Sequence, residues 1–297
     1  NGNISYVAPT EDEAFNYVHD LLEYLPSSCD EPAPEYWAPA DEAVVGDSVL
    51  DTFIPNDPNA GYDMLDLLGK IFDSDDVLEI QPDYAPNIIT AFSRIDGRPV
   101  GIVANQPLHL AGCIDADAAD KAARFIRICD AYNVPIIFVV DTPGYLPGVQ
   151  QEKVGLIHRG AKLGFAVVEA TVPKISLIVR KAFGGAYAVM GSKNLTGDIN
   201  LAWPTAQVAV MGAAAAVVMI QGRQLAAAPP EQREYMKKLF MDFYNENMTS
   251  PYVAAERGYI DAMIEPNQTR LMLRQALRQL ATKEEPEMRK KHTIMPM

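Results

Sequence analysis

Pro135-Ile-Ile-Phe-Val-Val140 runs straight into Asp141-Thr-Pro-Gly-Tyr-Leu-Pro-Gly148. An unbroken apolar run that stops at a turn-rich segment predicts a strand buried on both faces, as in parallel sheets covered by helices. Residues 174–179 predict a second buried strand, and 208–211 a third, short one. The intervening stretches have helical character: 153–170, a helix opening at 184–192, and an Ala-rich helix after residue 211. Upstream, 117–132 reads as a helix with Ala118, Ala122, Phe125, Ile126 and Cys129 inward, and Asp117 as its candidate cap. Strand–helix alternation of this kind predicts α/β layers with largely parallel strands.

The pattern changes on either side. Residues 87–95 and 100–105 are β-rich and flank Asp96-Gly97, a strong hairpin signal. A short helix is predicted near 63–72, and late helices near 230–247 and 268–281. Residues 11–25 predict an N-terminal helix with Ala14, Phe15, Val18, Leu21, Leu22 and Leu25 on one face. Thr10 with Glu13 forms its capping box. Residues 26–58 are rich in Pro, Asp and Glu and carry no sustained period, so they read as a connector. The division expected is a helix-plus-connector segment over 1–60 and one α/β domain over 61–297.

Composition narrows the function. A chain of 297 residues, 48% hydrophobic and 22% charged, has enough apolar sequence for a packed core, which excludes wholesale disorder. Its net charge of −14 argues against nucleic-acid partners and against anionic membrane surfaces. The longest apolar run, 208–220, is too short to span a bilayer. Cys29, Cys113 and Cys129 are scattered and form no CxxC pair, which favours a reducing, cytoplasmic setting and gives no zinc site. The first residue is Asn1, in a loop-like Asn-Gly-Asn, so the chain is expected to be cut from a longer protein.

Candidate chemistry concentrates in two loops. There is no GxGxxG, GxxxxGK[ST], GxSxG or HExxH motif. His19, His109, His158 and His292 are far apart and signal no triad. Loop 141–148 carries two Gly and two Pro directly after a buried strand, where ligands bind in parallel α/β folds. The second loop is Lys181-Ala-Phe-Gly-Gly-Ala-Tyr-Ala188. Paired glycines entering a helix let bare backbone approach a ligand and present N–H donors, the geometry of an oxyanion hole. The alternative is plain close packing of strand on helix. Cys113 reads as a small packing residue and Trp203 as structural.

These stretches resemble the carboxyltransferase β-subunits of biotin-dependent acyl-CoA carboxylases, of the propionyl-CoA and acyl-CoA kind. The resemblance rests on Val103-Ala-Asn-Gln-Pro107, Ala111-Gly-Cys113, Lys121-Ala-Ala-Arg-Phe125, 140–148, Arg159-Gly-Ala-Lys162, Glu169-Ala-Thr-Val-Pro-Lys174, Arg180–Tyr187, Ala202-Trp-Pro-Thr205, Val210-Met-Gly-Ala213 and Ala254-Ala-Glu-Arg-Gly-Tyr-Ile-Asp261. They occur in order over almost the whole chain. The resemblance implies a crotonase-like (ClpP-like) spiral α/β fold and the C-terminal domain of a two-domain subunit. It implies carboxybiotin on a separate carrier protein as cofactor, and no metal. The implied partners are the acyl-CoA substrate, a biotin carboxylase or carrier subunit, the N-terminal domain of the same subunit, and further copies in a hexamer.

The resemblance also assigns residues. The N–H groups of Gly185 and Ala186 would hold the biotin ureido oxygen. Gly144, Tyr145, Phe183 and Gly184 would line the biotin pocket. Because biotin would take the substrate's α-proton, no side-chain base is needed, in keeping with the absent histidine motif. The family commonly has Asp immediately after Gly-Gly-Ala-Tyr; here Ala188 stands there, which implies room for a longer acyl chain. CoA is strongly anionic and this chain acidic, so the CoA nucleotide is expected mainly on the other domain. Related decarboxylases and transcarboxylases share these loops, and a non-catalytic assembly module is the reading of a different class.

Overall fold

The computed structural model describes residues 2–36, 47–73 and 77–285. Part of the connector (37–46), the C-terminal tail with His292, and Asn1 fall outside the described residues. Among the described residues eight strands form one mixed sheet: β1 (Leu78–Glu79), β2 (Ile88–Ile95), β3 (Arg98–Asn105), β4 (Ile136–Thr142), β5 (Lys174–Phe183), β6 (Ile199–Ala202), β7 (Gln207–Ala209) and β8 (Ala262–Met263). Their order is β1-β2-β3-β4-β5-β6-β8, with β7 on the far end of β5. The pairs β1–β2 and β2–β3 are antiparallel, and all others are parallel. The expected α/β layering with largely parallel strands is thus present, with an antiparallel hairpin at one edge.

The hairpin turn is the two-residue loop that Asp96-Gly97 predicts. Ile95 pairs with Arg98, and both turn residues have positive φ (54° and 75°), as a type I′ turn requires. The carboxylate of Asp73 accepts the N–H groups of Asp96 (3.1 Å) and Gly97 (3.0 Å), pinning the turn.

Period-2 alternation along the central strands feeds two cores. Phe138 and Val140 of β4 point to one face, under α3 (Ala116–Ala131) and α5 (Leu156–Glu169). Ile137 and Val139 point to the other, under α2 (Met64–Ile71) and α10 (Thr269–Gln279). Every residue of β4 is buried. Helices on both faces make that continuous burial possible. Trp203 is fully buried and donates from Nε1 to Thr269 Oγ1 at 2.8 Å, in line with its structural reading.

Several local expectations need correction. Helix α3 is capped by Asp115, whose Oδ1 accepts the Ala118 N–H at 2.9 Å. Asp117 instead pairs with Arg159, because it already sits inside the first turn. The helix expected over 153–170 is α5, which starts three residues later after Gly155 in the left-handed region, and a separate short helix, α4 (Val149–Lys153), precedes it. Strand β5 extends four residues further than expected, to Phe183, and the helix after it, α6 (Gly184–Ala188), is a single turn. The N-terminal helix, α1 (Glu11–Leu22), has its capping box as read. Of its apolar face only Leu21, with nearby Leu25, packs on the core; Phe15, Val18 and Leu22 are exposed.

Past β7 an arm leaves the sheet: α7 (Ala213–Ala227) and α8 (Pro230–Tyr244), then a π-turn and α9 (Pro251–Glu256). Among the described residues no helix is long and apolar enough to cross a membrane.

Candidate active site at the strand ends

Both candidate loops emerge where parallel strands end, from β4 and from β5. Strand β5 carries its chain through Phe183 into α6 with no side chain capping the helix. The first N–H groups of a helix have no intrahelical partner, so Gly184, Gly185 and Ala186 present donors at this end. Gly184 has φ +62°, and a Cβ there would meet the Val210 carbonyl at 3.0 Å. Glycine therefore answers both the backbone conformation and the close approach.

The other loop supplies an aromatic wall. A Cβ at Gly185 would lie 3.6 Å from the Tyr145 ring, and one at Gly160 only 3.1 Å from it. Tyr145 is therefore held between two glycines, with its hydroxyl 3.5 Å from the Gly160 carbonyl. Burial pushes the Tyr145 phenol up to about 12, so it stays neutral and serves as a wall and donor. Gly144 has φ 143° and open space around its Cβ position. The loop is tied back by Ile114, which donates to Gly144 O (3.1 Å) and accepts from Leu146 N–H (2.9 Å).

Two cavities flank this contact. One, of about 480 Å³, is lined by Gly184, Gly185, Tyr187, Ala188 and Val208 on the sheet side and by Val210, Tyr244, Met248, Arg257 and Tyr259 on the arm side. The other, of about 460 Å³, is lined by Tyr145, Leu146, Pro147, Leu156, Gly160, Gly164 and Val189. A larger cavity of about 590 Å³ lies at the opposite ends of the strands, among Pro99, Pro135, Pro173 and several acidic residues. It does not hold the candidate residues, and ligands of parallel α/β folds bind at the carboxyl ends. The Tyr187 hydroxyl is buried without a partner, and burial, with Asp261 nearby, pushes it up to about 12.

Of the residues singled out from sequence, Gly184, Gly185 and Ala188 share the first cavity, and Tyr145 touches Gly185 from the second. Ala186 is fully buried and lines neither cavity; its N–H belongs to the uncapped first turn of α6, next to Gly185 on the cavity wall. Phe183 turns its ring into the protein, against Gly212, and so shapes the pocket from beneath. Cys113 is half-buried, and burial pushes its thiol up, which disfavours a thiolate nucleophile. Among the described residues no group of three or more His, Cys, Asp or Glu side chains is placed to hold a metal ion.

Sequence reasoning missed what lies under the loops. The carboxylate of Asp141 is buried and accepts Arg180 Nε (2.9 Å), Tyr62 O–H (2.9 Å) and the Lys181 N–H (3.1 Å). Arg180 also donates to Ala60 O at 2.8 Å. The available signal was an arginine at the end of an otherwise apolar strand, a placement that needs a buried partner. Tyr244 and Arg257 were likewise invisible as site residues, since the arm folds back from far along the chain.

The family model of the carboxyl transferase domain matches residues 1–295. The chain is 50% identical to the biotin-dependent acetyl-/propionyl-coenzyme A carboxylase beta5 subunit of Mycobacterium tuberculosis (strain ATCC 25618 / H37Rv), across all of this chain and 56% of that protein. It is 49% identical to the biotin-dependent long chain acyl-coenzyme A carboxylase beta4 subunit of the same strain, over 95% of this chain and 54% of that one. Among solved structures, transcarboxylase 12S, described as a hexamer with methylmalonyl-coenzyme A bound, superposes with a TM-score of 0.94 at 43% identity, covering all of this chain and 56% of that one. The chain thus spans about half the length of the relatives it matches. The fold is the crotonase-like α/β fold that the resemblance implies.

Proposed function

The chain belongs to the carboxyl transferase domain family, and on that premise we propose that it is the biotin-side half of an acyl-CoA carboxyltransferase site. The observation that carries this reading is the uncapped Gly184-Gly185-Ala186 turn, opening on an apolar cavity and pressed against Tyr145. The residues fit a neutral, flat ureido group: glycines let it approach the backbone, and the surrounding walls are apolar and aromatic. Carboxybiotin on its carrier protein, when bound there, would supply the carboxyl group, and the biotin left behind would be the acceptor for the acyl α-proton. The N–H groups of Gly185 and Ala186 donate to the oxygen on which negative charge develops, and such preorganised donors carry most of the work in sites of this kind. Gly144, Tyr145 and Gly184 line the pocket, Phe183 sets its floor, and Ala188 faces the acyl group. The acyl-CoA nucleotide binds mainly to a second domain, and a biotin carboxylase or carrier subunit delivers the donor. Exposed apolar side chains on α7 and α8 support assembly with further copies, a hexamer in the full enzyme.

The test is a single-atom change. Replacing Ala186 by its lactic-acid analogue turns one amide into an ester and removes only the N–H. In the full-length subunit, carboxyl transfer from carboxybiotin to propionyl-CoA is expected to fall about 100- to 1,000-fold. A rate within about threefold of the unmodified enzyme would remove Ala186 from the donor set.

A further inference from the structure

The two site segments diverge from one buried side chain. Asp141 stands three residues before Gly144, and the N–H it accepts belongs to Lys181, four residues before Gly185. Around it the ladder between β4 and β5 is irregular. Val140 pairs with Ile178, yet Thr142 pairs with Ala182. One residue of β4 thus faces three of β5, and the regular partner of Thr142 would have been Arg180. The bulge takes up these two extra residues, so Ala182 and the residues after it are set back by about 6.6 Å from where a regular ladder would carry them, at about 3.3 Å per residue. At the same place β5 changes its outer neighbour, from β6 (Ile178 with Ala202) to β7 (Lys181 with Gln207).

The Asp141 carboxylate fills this bulge. One oxygen accepts the Lys181 N–H at 3.1 Å, and the other accepts Arg180 Nε and Nη2, both at 2.9 Å, and Tyr62 O–H at 2.9 Å. The Asp141 side chain is 1% exposed and that of Arg180 8%. Its backbone is held too: the Asp141 N–H donates to Asn105 Oδ1 at 3.2 Å, and its carbonyl presses on Gly112 so closely that a Cβ there would sit at 2.4 Å. Arg180 in turn reaches Ala60 O. A buried ion pair is weak evidence of stability, since an apolar pair of equal volume often does as well. What an apolar pair cannot do is capture the Lys181 N–H and hold the extra residues out of register.

We propose that Asp141, locked by Arg180, is a positioning residue that sets the register of β5 and thereby aims the Gly185 and Ala186 N–H groups at the cavity. This rests on the reading of those donors given above. The test uses Asp141→Asn in the full-length, assembled enzyme. Asparagine keeps the shape but turns an N–H₂ or a weaker acceptor toward Arg180 and Tyr62. The expected result is a fall in kcat of at least about tenfold with KM for acyl-CoA within about twofold of wild type. In the same protein, amide hydrogen exchange should quicken at least about tenfold over 181–188 and stay unchanged in α7 and α10. Wild-type kcat with wild-type exchange over 181–188 would overturn the proposal. A uniform rise in exchange across the protein would also overturn it, because it marks a merely structural role. If Asp141→Asn does not fold, Arg180→Lys is scored by the same two readouts, since lysine keeps the charge but loses the fork. The ester at 186 separates the two ideas. Loss of activity there, with wild-type behaviour at Asp141, overturns the positioning role alone. Full activity there overturns the donor reading, while the exchange data still decide whether Asp141 sets the register.

Discussion

Strands β4 and β5 and the α7–α8 arm use the same kinds of apolar side chain in opposite ways. All seven residues of β4 and all but Lys181 of β5 are buried. In α7 only Ala213, Ala216 and Val217 are buried, and in α8 no residue is. Val218, Met219, Ile220, Tyr235, Leu239 and Phe243 are each more than half exposed. In the sheet region the buried Asp141–Arg180 pair is saturated with donors. The arm leaves its apolar surface outward, which is how proteins present surfaces for association. The first cavity lies on the seam, with Gly184, Gly185 and Ala188 from one region and Val210, Tyr244 and Met248 from the other. A site shared between a rigid region and an outward-facing one can be precise on one side and adaptable on the other.

The same substitution in both regions gives the sharpest contrast. Phe138 is fully buried in β4, and its ring packs where a side chain at Gly191 would sit, 2.3 Å from the built Cβ. Phe138→Ala is expected to cost about 3–5 kcal/mol, because the surrounding close-packed strands cannot collapse into the space. Denaturant unfolding checks it. A loss below about 1 kcal/mol would mean that the sheet core is far more plastic than its packing implies.

Sequence pattern was a good guide where one local rule decides the outcome. The Asp96-Gly97 turn, the Thr10–Glu13 capping box and the buried run of β4 each follow from residues a few positions apart. It failed where partners are distant. Strands β1 and β8 are two residues long and β6 four; they exist because a neighbour's edge is there to pair with, which no local period records. Strand β5 was read as ending at 179 because Arg180 and Lys181 interrupt the apolar run. Those charges are tolerated only because Asp141, Tyr62 and the carbonyls of Pro58 and Ala60 meet them. The site divides in the same way. Gly184-Gly185-Ala186 was legible as bare backbone entering a helix. Tyr62 and Arg180, 118 positions apart in the chain, were not legible as one network.

At the seam the expected effect is smaller. Ala188 is half-buried on the cavity wall beside Gly185. Ala188→Asp places a carboxylate against Val208, Val210 and Met248, where a longer acyl chain would extend. Discrimination by the size of an apolar pocket is worth about 1–3 kcal/mol per methylene. The ratio of kcat/KM for a long-chain acyl-CoA over propionyl-CoA is therefore expected to fall about tenfold in the variant. An unchanged ratio would place the acyl chain elsewhere, with the Tyr145–Leu156 cavity as the next location to probe.

On the arm the expected effect on the fold itself is the smallest. Phe243 is 62% exposed, so Phe243→Ala removes little buried area, and exposed substitutions of this kind usually change stability by no more than about 0.5 kcal/mol. The same chemical change should therefore be severalfold milder than at Phe138 when unfolding is measured. Its consequence belongs to association. Phe243, with Leu239 and Tyr235 at helical spacing on α8, forms the kind of apolar stripe that another surface covers. Truncating Phe243 and Leu239 together should lower the mass of the assembled full-length protein in light scattering while unfolding of the domain stays near wild type. If mass and stability both hold, the arm's apolar face is not an interface. If stability falls as far as for Phe138→Ala, the arm is part of the core, and the contrast between the two regions fails.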